Sequence, residues 1–234
     1  MTLPSFCAQQ QATILIVDDH PIFREGLAQI INRQPDMAVC QEASDVAGAT
    51  GAVEASTPHL VVLDLHLGAG DVFELIKSWR ARFPNVWVLI LSHHDESLYA
   101  ERALRAGASG YVMKEEAAEH VLRAIRTVLA GEMYVSPKMA AKLLHKLIQA
   151  KPAGSDAGLE TLSDRELHVF RLVGLGLSTR KMAEELHLSL KTIETHREHI
   201  KHKLGLPTAT ELVRHATQWI ESSVAPVPVP PPPG

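Results

Sequence analysis

Short apolar runs rich in Val, Ile and Leu alternate with amphipathic stretches from Ala12 to Ala130. Runs of this length, bounded by turn residues, predict strands over Thr13–Val17, Met37–Glu42, Leu60–Leu63, Val86–Leu91 and Gly110–Met113. Between them apolar positions recur at helical spacing, predicting helices over Pro21–Arg33, Asp45–Ala55, Val72–Arg82, Glu96–Ala106 and Glu116–Ala130. Strands and helices in strict alternation imply an α/β domain with a doubly wound, five-stranded parallel sheet, because parallel neighbours need a crossover and a helix supplies it.

After Gly131 the strand signals stop. Ser136-Pro137 has the form of a helix start, and Lys138–Gln149 reads as a lysine-rich amphipathic helix. Lys151–Gly158 has the composition of a flexible linker. Four short helical stretches follow, Ser163–Val173, Thr179–Leu186, Leu190–Leu204 and Thr208–Ile220, which make a small all-α domain. Ser163 with Glu166 forms a capping box, Ser178 or Thr179 caps the next helix, and Ser189 caps the longer one. Two short helices joined by a tight turn, the second polar along one side, make a helix-turn-helix. The predicted organisation is an α/β domain over 12–130, a linker with a helix over 131–158, the helical domain over 159–222, and an extended proline-rich tail, PVPVPPPPG, within 223–234.

Aromatics are only 5% of the 234 residues, so both cores must rest on Leu, Val, Ile and Ala. A net charge of -4 excludes a uniformly basic nucleic-acid binder but leaves room for a local basic patch. The charge is unevenly spread: 16 acidic against 10 basic residues between Thr13 and Ala130, but 10 against 9 from Asp156 to Glu221. Cys7 and Cys40 are the only cysteines, which provides neither a disulfide framework nor a metal-ligand spacing. Met1–Gln11 lacks the pattern of a signal peptide, and no apolar run approaches the roughly 18 residues of a membrane span. A cytoplasmic protein without membrane contact is expected.

Ligands of open α/β sheets bind beyond the carboxyl ends of the strands. Asp18 and Asp19 follow the first predicted strand, Asp64 the third, Ser92 the fourth and Lys114 the fifth. Crowded carboxylates raise one another's pKa unless a cation is present. A hard divalent ion such as Mg²⁺ suits such a set, because it takes one or two carboxylates, a carbonyl and waters. Each residue alone has a plainer reading, as a helix cap, a turn residue or a surface charge. Their convergence on one sheet edge is what points to a site.

The runs ILIVDDHP, VVLDLHL, VLILS and GYVMK resemble the successive motifs of the receiver domain of two-component response regulators. The resemblance covers Ala12 to Ala130 and implies a flavodoxin-like fold like that of the chemotaxis regulator. It also implies that Asp64 is the phosphoacceptor, that Asp18, Asp19, Asp64 and the backbone carbonyl of His66 hold Mg²⁺, and that Lys114 pairs with the phosphoryl group. Ser92 would hydrogen-bond that group and Tyr111 would reorient with it. Many receivers carry proline where this chain has Gly68, so a more mobile loop is expected there. His66, His93 and His94 invite a metal or pH-sensing reading, and simple exposure is the plainer one.

In Leu190–Leu204, Ile193, Ile200 and Leu204 share one face, with His196 at its edge; that face is core. The opposite face carries Lys191, Thr192, Glu194, Thr195, Glu198 and His202, flanked by Lys201 and Lys203, while Arg180 and Lys181 open the preceding helix. Lysines and helix N-termini would meet phosphates and the central polar side chains would reach base edges. Glu194 and Glu198 repel phosphate, though a glutamate can accept from cytosine N4. On this helix alone, a DNA-reading surface and an ordinary solvated face both stand. GLSTRKMAEEL, LKTIETH and KHKLGL resemble the LuxR-type output domain, and with the receiver motifs the chain is similar to the NarL/FixJ subfamily throughout. That resemblance implies a phosphorylation-controlled transcription regulator, not an enzyme. Its expected partners are a sensor histidine kinase, promoter DNA and a second copy of the chain. Alternatives are a phosphorylation-independent regulator, an aspartyl-phosphate phosphatase with a helical appendage, or a back half that binds protein. The phosphatase chemistry usually needs an acid two residues beyond the nucleophile, where this chain has His66.

Overall fold

The structure, a computed structural model, describes residues 11–65, 67, 71–93, 96–148, 158–186 and 188–224. His66, Gly68, the linker residues 151–157, Gln149 and the proline-rich end beyond Val224 lie outside the described residues. The chain divides into two compact units, Met1–Ala150 and Lys151–Gly234.

The first unit contains β1 (Ala12–Val17), α1 (Pro21–Asn32), β2 (Met37–Ala43), α2 (Val46–Ser56), β3 (Leu60–Leu63) and α3 (Val72–Arg82). It continues with β4 (Trp87–Ser92), α4 (Glu96–Ala106), β5 (Gly110–Met113), α5 (Ala118–Leu129) and α6 (Pro137–Ile148). All strands are parallel, in the order β2-β1-β3-β4-β5. The order reverses between β1 and β3, which makes the crevice above their carboxyl ends the natural place for a ligand. Every residue of β3 is buried, as expected where helices cover both faces of a sheet. Alternation divides the cores: Ile14, Ile16, Leu60, Val62, Leu89 and Leu91 pack with Leu27, Ile31, Ile125 and Val128 of α1 and α5. The intervening Leu15, Val61, Leu63, Val88 and Ile90 are buried too and point to the opposite face.

Register completes the placement. Val17 pairs with Leu63, so the next residues, Asp18 and Asp64, emerge side by side. Ser92 pairs with Met113, so Lys114 emerges one step further along the same edge. Asp71 caps α3 through hydrogen bonds from the amides of Phe73 and Glu74 at 3.1 Å, fixing where the loop after Asp64 returns to helix. Among the described residues no strand follows β5, and one isolated bridge lies beyond Gly131. Tyr134 adds a parallel bridge beside Gly110, with Tyr111 donating its N–H to the Tyr134 carbonyl at 2.8 Å.

The second unit begins with a 3-10 turn, Leu159–Thr161, and continues with α7 (Asp164–Gly174), α8 (Thr179–Glu185), α9 (Leu190–Leu204) and α10 (Ala209–Val224). The Ser163–Glu166 capping box is present, and Ser178 and Ser189 cap α8 and α9. α7 packs against both α9 and α10. Phe170 anchors the contact, its ring 5.5 Å from that of Trp219. A Cβ on Gly174 would lie 2.6 Å from the Ala216 carbonyl oxygen, so glycine is what lets α7 and α10 approach. α9 ends at Gly205, whose φ of 64° is the left-handed geometry that favours glycine.

Candidate functional sites: an acidic pocket and a polar helix face

Asp18 and Asp64 are buried at the sheet edge, and the Lys114 side chain between them is 0% exposed. The Lys114 ammonium lies 2.6 Å from Oδ2 of Asp18 and 2.8 Å from Oδ2 of Asp64. It also sits 4.6 Å from the centre of the Phe23 ring, a cation–π contact that closes the apolar side of the pocket. A charge this deep in a low-dielectric site persists only when paired, and here one cation faces two carboxylates. One negative charge is left over.

Asp19 is exposed at the mouth, and His20 Nδ1 approaches Asp19 at 2.8 Å and Asp18 at 3.3 Å. Asp18, Asp19, His20 and Asp64 each bring a ligand atom within 4.8 Å of the others. Three hard carboxylates beside a surplus negative charge fit a small divalent cation, with the imidazole as a fourth neighbour. Arg24 of α1 braces the turn from the other side, donating to the Asp18 carbonyl at 2.6 Å while its Nε pairs with Glu42 at 3.1 Å.

Ser92 and Tyr111 are both buried and hydrogen-bonded to each other. Burial pushes the Tyr111 phenol well above its ordinary pKa, and the charges of Asp64 and Glu96 add to the effect. The phenol is therefore neutral at any physiological pH. His93 is exposed, 2.8 Å from Glu115, and its ring centre lies 6.4 Å from that of His20. Burial pushes the Glu115 carboxyl up, but the hydrogen bond from His93 and the neighbouring backbone outweigh it and hold the group below its usual value.

On α9, Ile193 and Ile200 are buried and Leu204 is half-buried. His196 is half-buried at the edge of that face; burial, then the charge of Arg165, lowers its pKa. Lys191, Glu194, Thr195, Glu198 and Lys203 are exposed, as are Arg180 and Lys181 on α8; Thr192 and Lys201 are half-buried. Several of these groups already have partners. Thr192 and Ser189 share a hydroxyl hydrogen bond at 2.7 Å, and Thr195 donates back to the Lys191 carbonyl at 2.9 Å. The Thr179 hydroxyl donates to Glu194 at 2.9 Å, and Arg197 donates to the Thr179 oxygen at 3.0 Å. Lys201 pairs with Glu198 at 2.9 Å. Lys203 reaches 2.6 Å from the buried carboxylate of Glu166, so its ammonium serves the α7 cap.

Two family models match. The response regulator receiver domain matches residues 14–126, and the model for bacterial regulatory proteins of the luxR family matches residues 160–216. Oxygen regulatory protein NreC of Staphylococcus carnosus (strain TM300) is 35% identical over 213 residues, 87% of this chain and 95% of that protein. The chain is a LuxR-type response regulator. NreC of Staphylococcus aureus (strain MRSA252) is 37% identical over 207 residues, again 87% of this chain and 95% of that one.

Among solved structures, a LuxR-family two-component response regulator from Aurantimonas sp. SI85-9A1 is 36% identical, with a TM-score of 0.55, covering 60% of this chain and 100% of that one. RcsB from Salmonella enterica serovar Typhimurium, bound to promoter P1flhDC in the presence of phosphomimetic BeF3-, shares the fold at 24% identity. Its TM-score is 0.56, over 89% of this chain and 100% of that chain. These families are DNA-binding transcription regulators, so the enzyme reading falls away. Among the described residues no helix of this regulator is long and apolar enough to cross a membrane.

The sequence reading did not single out His20, Phe23, Arg24 or Arg197. The first three follow the acidic pair directly, in DDHPIFR, where the turn into α1 folds them back over the pocket. Arg197 is one helical turn beyond Glu194, a spacing that could have signalled their pairing.

Proposed function

We propose that this regulator accepts a phosphoryl group on Asp64 from a phosphohistidine of a sensor kinase, and that the modification controls dimeric binding to promoter DNA. The observation that carries the reading is the buried Lys114 ammonium bridging Asp18 and Asp64 at the topological switch point. The domain roles follow the reading above, with the receiver over 12–130, a linker over 131–158 and the DNA-binding domain over 159–222.

An Asp64 carboxylate oxygen forms the new bond to phosphorus as the bond to the donor imidazole nitrogen breaks, and the imidazole leaves with its electron pair. Lys114 stands where it neutralises the oxygens that gain charge in the transition state. Asp18, Asp19 and Asp64, with the His66 carbonyl expected from the resemblance, would hold Mg²⁺, which supplies further charge neutralisation when bound. His20 at the mouth bridges the Asp18 and Asp19 carboxylates through its Nδ1. The phosphoryl oxygens carry about two negative charges at pH 7 in place of the carboxylate's one, a net gain of about one. Ser92, buried on the same edge, is placed to turn its hydroxyl toward them, which alters its bond to Tyr111.

In the second unit, capped N-termini of α8 and α9 and the exposed Arg180, Lys181 and Lys191 would meet phosphates. Glu194, Thr195 and Glu198 occupy the central exposed positions of α9, where side chains read base edges. Dimers on two half-sites would provide the affinity that one small domain lacks.

Selection of bound genomic fragments, with and without a phosphodonor and Mg²⁺, tests both halves at once. A dyad-symmetric motif enriched more strongly for phosphorylated wild type than for Asp64→Ala is expected. Equal enrichment for both proteins removes phosphorylation as the switch, and no enrichment removes DNA as the partner.

A further inference from the structure

Glu194 is tied across the helix-turn-helix. Thr179, the first residue of α8, donates its hydroxyl to Oε1 of Glu194 on α9 at 2.9 Å. Arg197 donates from Nη1 to the Thr179 oxygen at 3.0 Å and lies 3.5 Å from the same Oε1. These bonds have only one sense. A guanidinium donates and cannot accept, an ionised carboxylate accepts and cannot donate, and a hydroxyl has a single proton. Arg197 therefore occupies a lone pair of the Thr179 oxygen and commits the hydroxyl proton to Glu194. The group is anchored at one end and open at the other: the Arg197 side chain is 20% exposed and that of Glu194 54%. Glu198, the other acid of this face, pairs with Lys201 of its own helix.

Such an arrangement changes what an acid can do on a DNA-facing surface. The Arg197 charge offsets that of the carboxylate, which reduces its repulsion from phosphate. Fixing Oε1 removes rotamer freedom before a ligand arrives, so less ordering is left to binding. Both bonds fall on Oε1, and Oε2 is the oxygen left to a ligand, which must be a hydrogen-bond donor. In the major groove the base-edge donors are N4 of cytosine and N6 of adenine. Adenine sets its N7 acceptor beside N6, and a carboxylate meets that lone pair with repulsion. Cytosine sets only a C–H there.

We propose that Thr179 and Arg197 are positioning residues that hold Glu194 as the reader of a cytosine, so that each half-site of the target DNA carries a C·G pair opposite this side chain. The proposal rests on the DNA-binding reading of the second unit and does not depend on phosphorylation of Asp64. The same bonds tie α8 to α9, so the placement of the two helices and the aim of the reading side chain are set together. An acid at this position thereby selects a base instead of merely tolerating the phosphates around it.

Selection from a library of randomised duplex DNA by the full-length protein, with and without acetyl phosphate and Mg²⁺, reads the preference base by base. Wild type is expected to favour cytosine at one position of each half-site by about tenfold. In Glu194→Gln the oxygen stays with Thr179 and the free end becomes an NH₂ donor. Preference at that position alone should therefore move to a base that presents an acceptor, guanine or thymine. Thr179→Val and Arg197→Ala should cut the cytosine preference to about threefold or less, while Thr179→Ser keeps the hydroxyl and should retain it. A merely loosened domain would weaken every site alike and leave the ratio between bases unchanged; that result for Thr179→Val and Arg197→Ala overturns their positioning role. A wild-type motif that Glu194→Gln leaves unaltered overturns the proposal and leaves the DNA-binding reading intact, as does a Glu194-dependent position that is not cytosine. No enriched motif for wild type in either condition removes the DNA-binding reading, and this proposal with it.

Discussion

Both units hold acids against bases at nearly the same distances, and the environment makes the pairs different objects. Lys114 meets Asp18 and Asp64 at 2.6 and 2.8 Å with its side chain 0% exposed and theirs 4%. Arg180 meets Glu184 at 3.1 Å with side chains 84% and 66% exposed. Water screens the second pair and is excluded from the first, so removing a partner has unlike consequences. The Glu166–Lys203 pair stands between them, a buried acid met by a half-exposed base. Distance alone does not say what an ion pair does. In the receiver unit the buried excess of negative charge suits a cation; on α8 the pair only shapes a solvated surface.

The largest test of this contrast is Lys114→Met. Two buried carboxylates would lose their cation, and stability near neutral pH should fall by about 3–5 kcal/mol. Millimolar Mg²⁺ should restore part of it, read as the urea midpoint with and without the ion. A loss as small as that of a surface pair would break the comparison.

Glu166→Gln should cost about 1–2 kcal/mol, because the amide still meets the Ser163 N–H but no longer pairs with Lys203. Burial pushes the Glu166 carboxyl up, but hydrogen bonds from Lys203 and from the Ser163 backbone outweigh that and lower its pKa. Its stabilising effect is thus complete above the unfolded carboxylate value and disappears as pH falls through the folded one. Thermal melts of the two proteins should therefore converge in acid.

His196 has the same sign for a different reason: burial and Arg165 disfavour its charged form. Stability is complete above its ordinary value of 6.5 and declines as pH falls toward the lower folded value. His196→Phe should flatten the stability profile below pH 6.5, read from thermal melts across pH.

The smallest effect on folding belongs to Arg180→Ala, within about 0.5 kcal/mol of wild type. Its effect should appear in DNA binding, as a weaker affinity with a salt slope reduced by about one. A large loss of stability there would show that the exposed pair is not merely a surface feature.

Much of the fold was legible because periodicity survives burial. β3, β5, α3, α4 and α9 have the boundaries that spacing predicted, and the three serine caps are where hydroxyls precede helical runs. β4 extends to Ser92, so this residue lies within the strand and not after it, since its pairing opposite Met113 continues the ladder. Tyr134 was not legible: one bridging residue has no period, and only the presence of β5 beside it gives its backbone a pairing partner. The side chains folded over the pocket from α1 were missed for a related reason. Phe23 and Arg24 reach the site because α1 packs beside β1, a placement that no linear spacing records.

The order of elements, the residues at the carboxyl ends of the strands and the two-domain division are properties of the sequence alone, because they follow from local pattern and chain order. Which charges meet was decided by the tertiary structure. Register set Asp18 beside Asp64, burial enclosed Lys114 between them, and packing of α7 against α9 turned Lys203 to Glu166. Charges act across space, and only the folded chain sets those distances and removes the water between them.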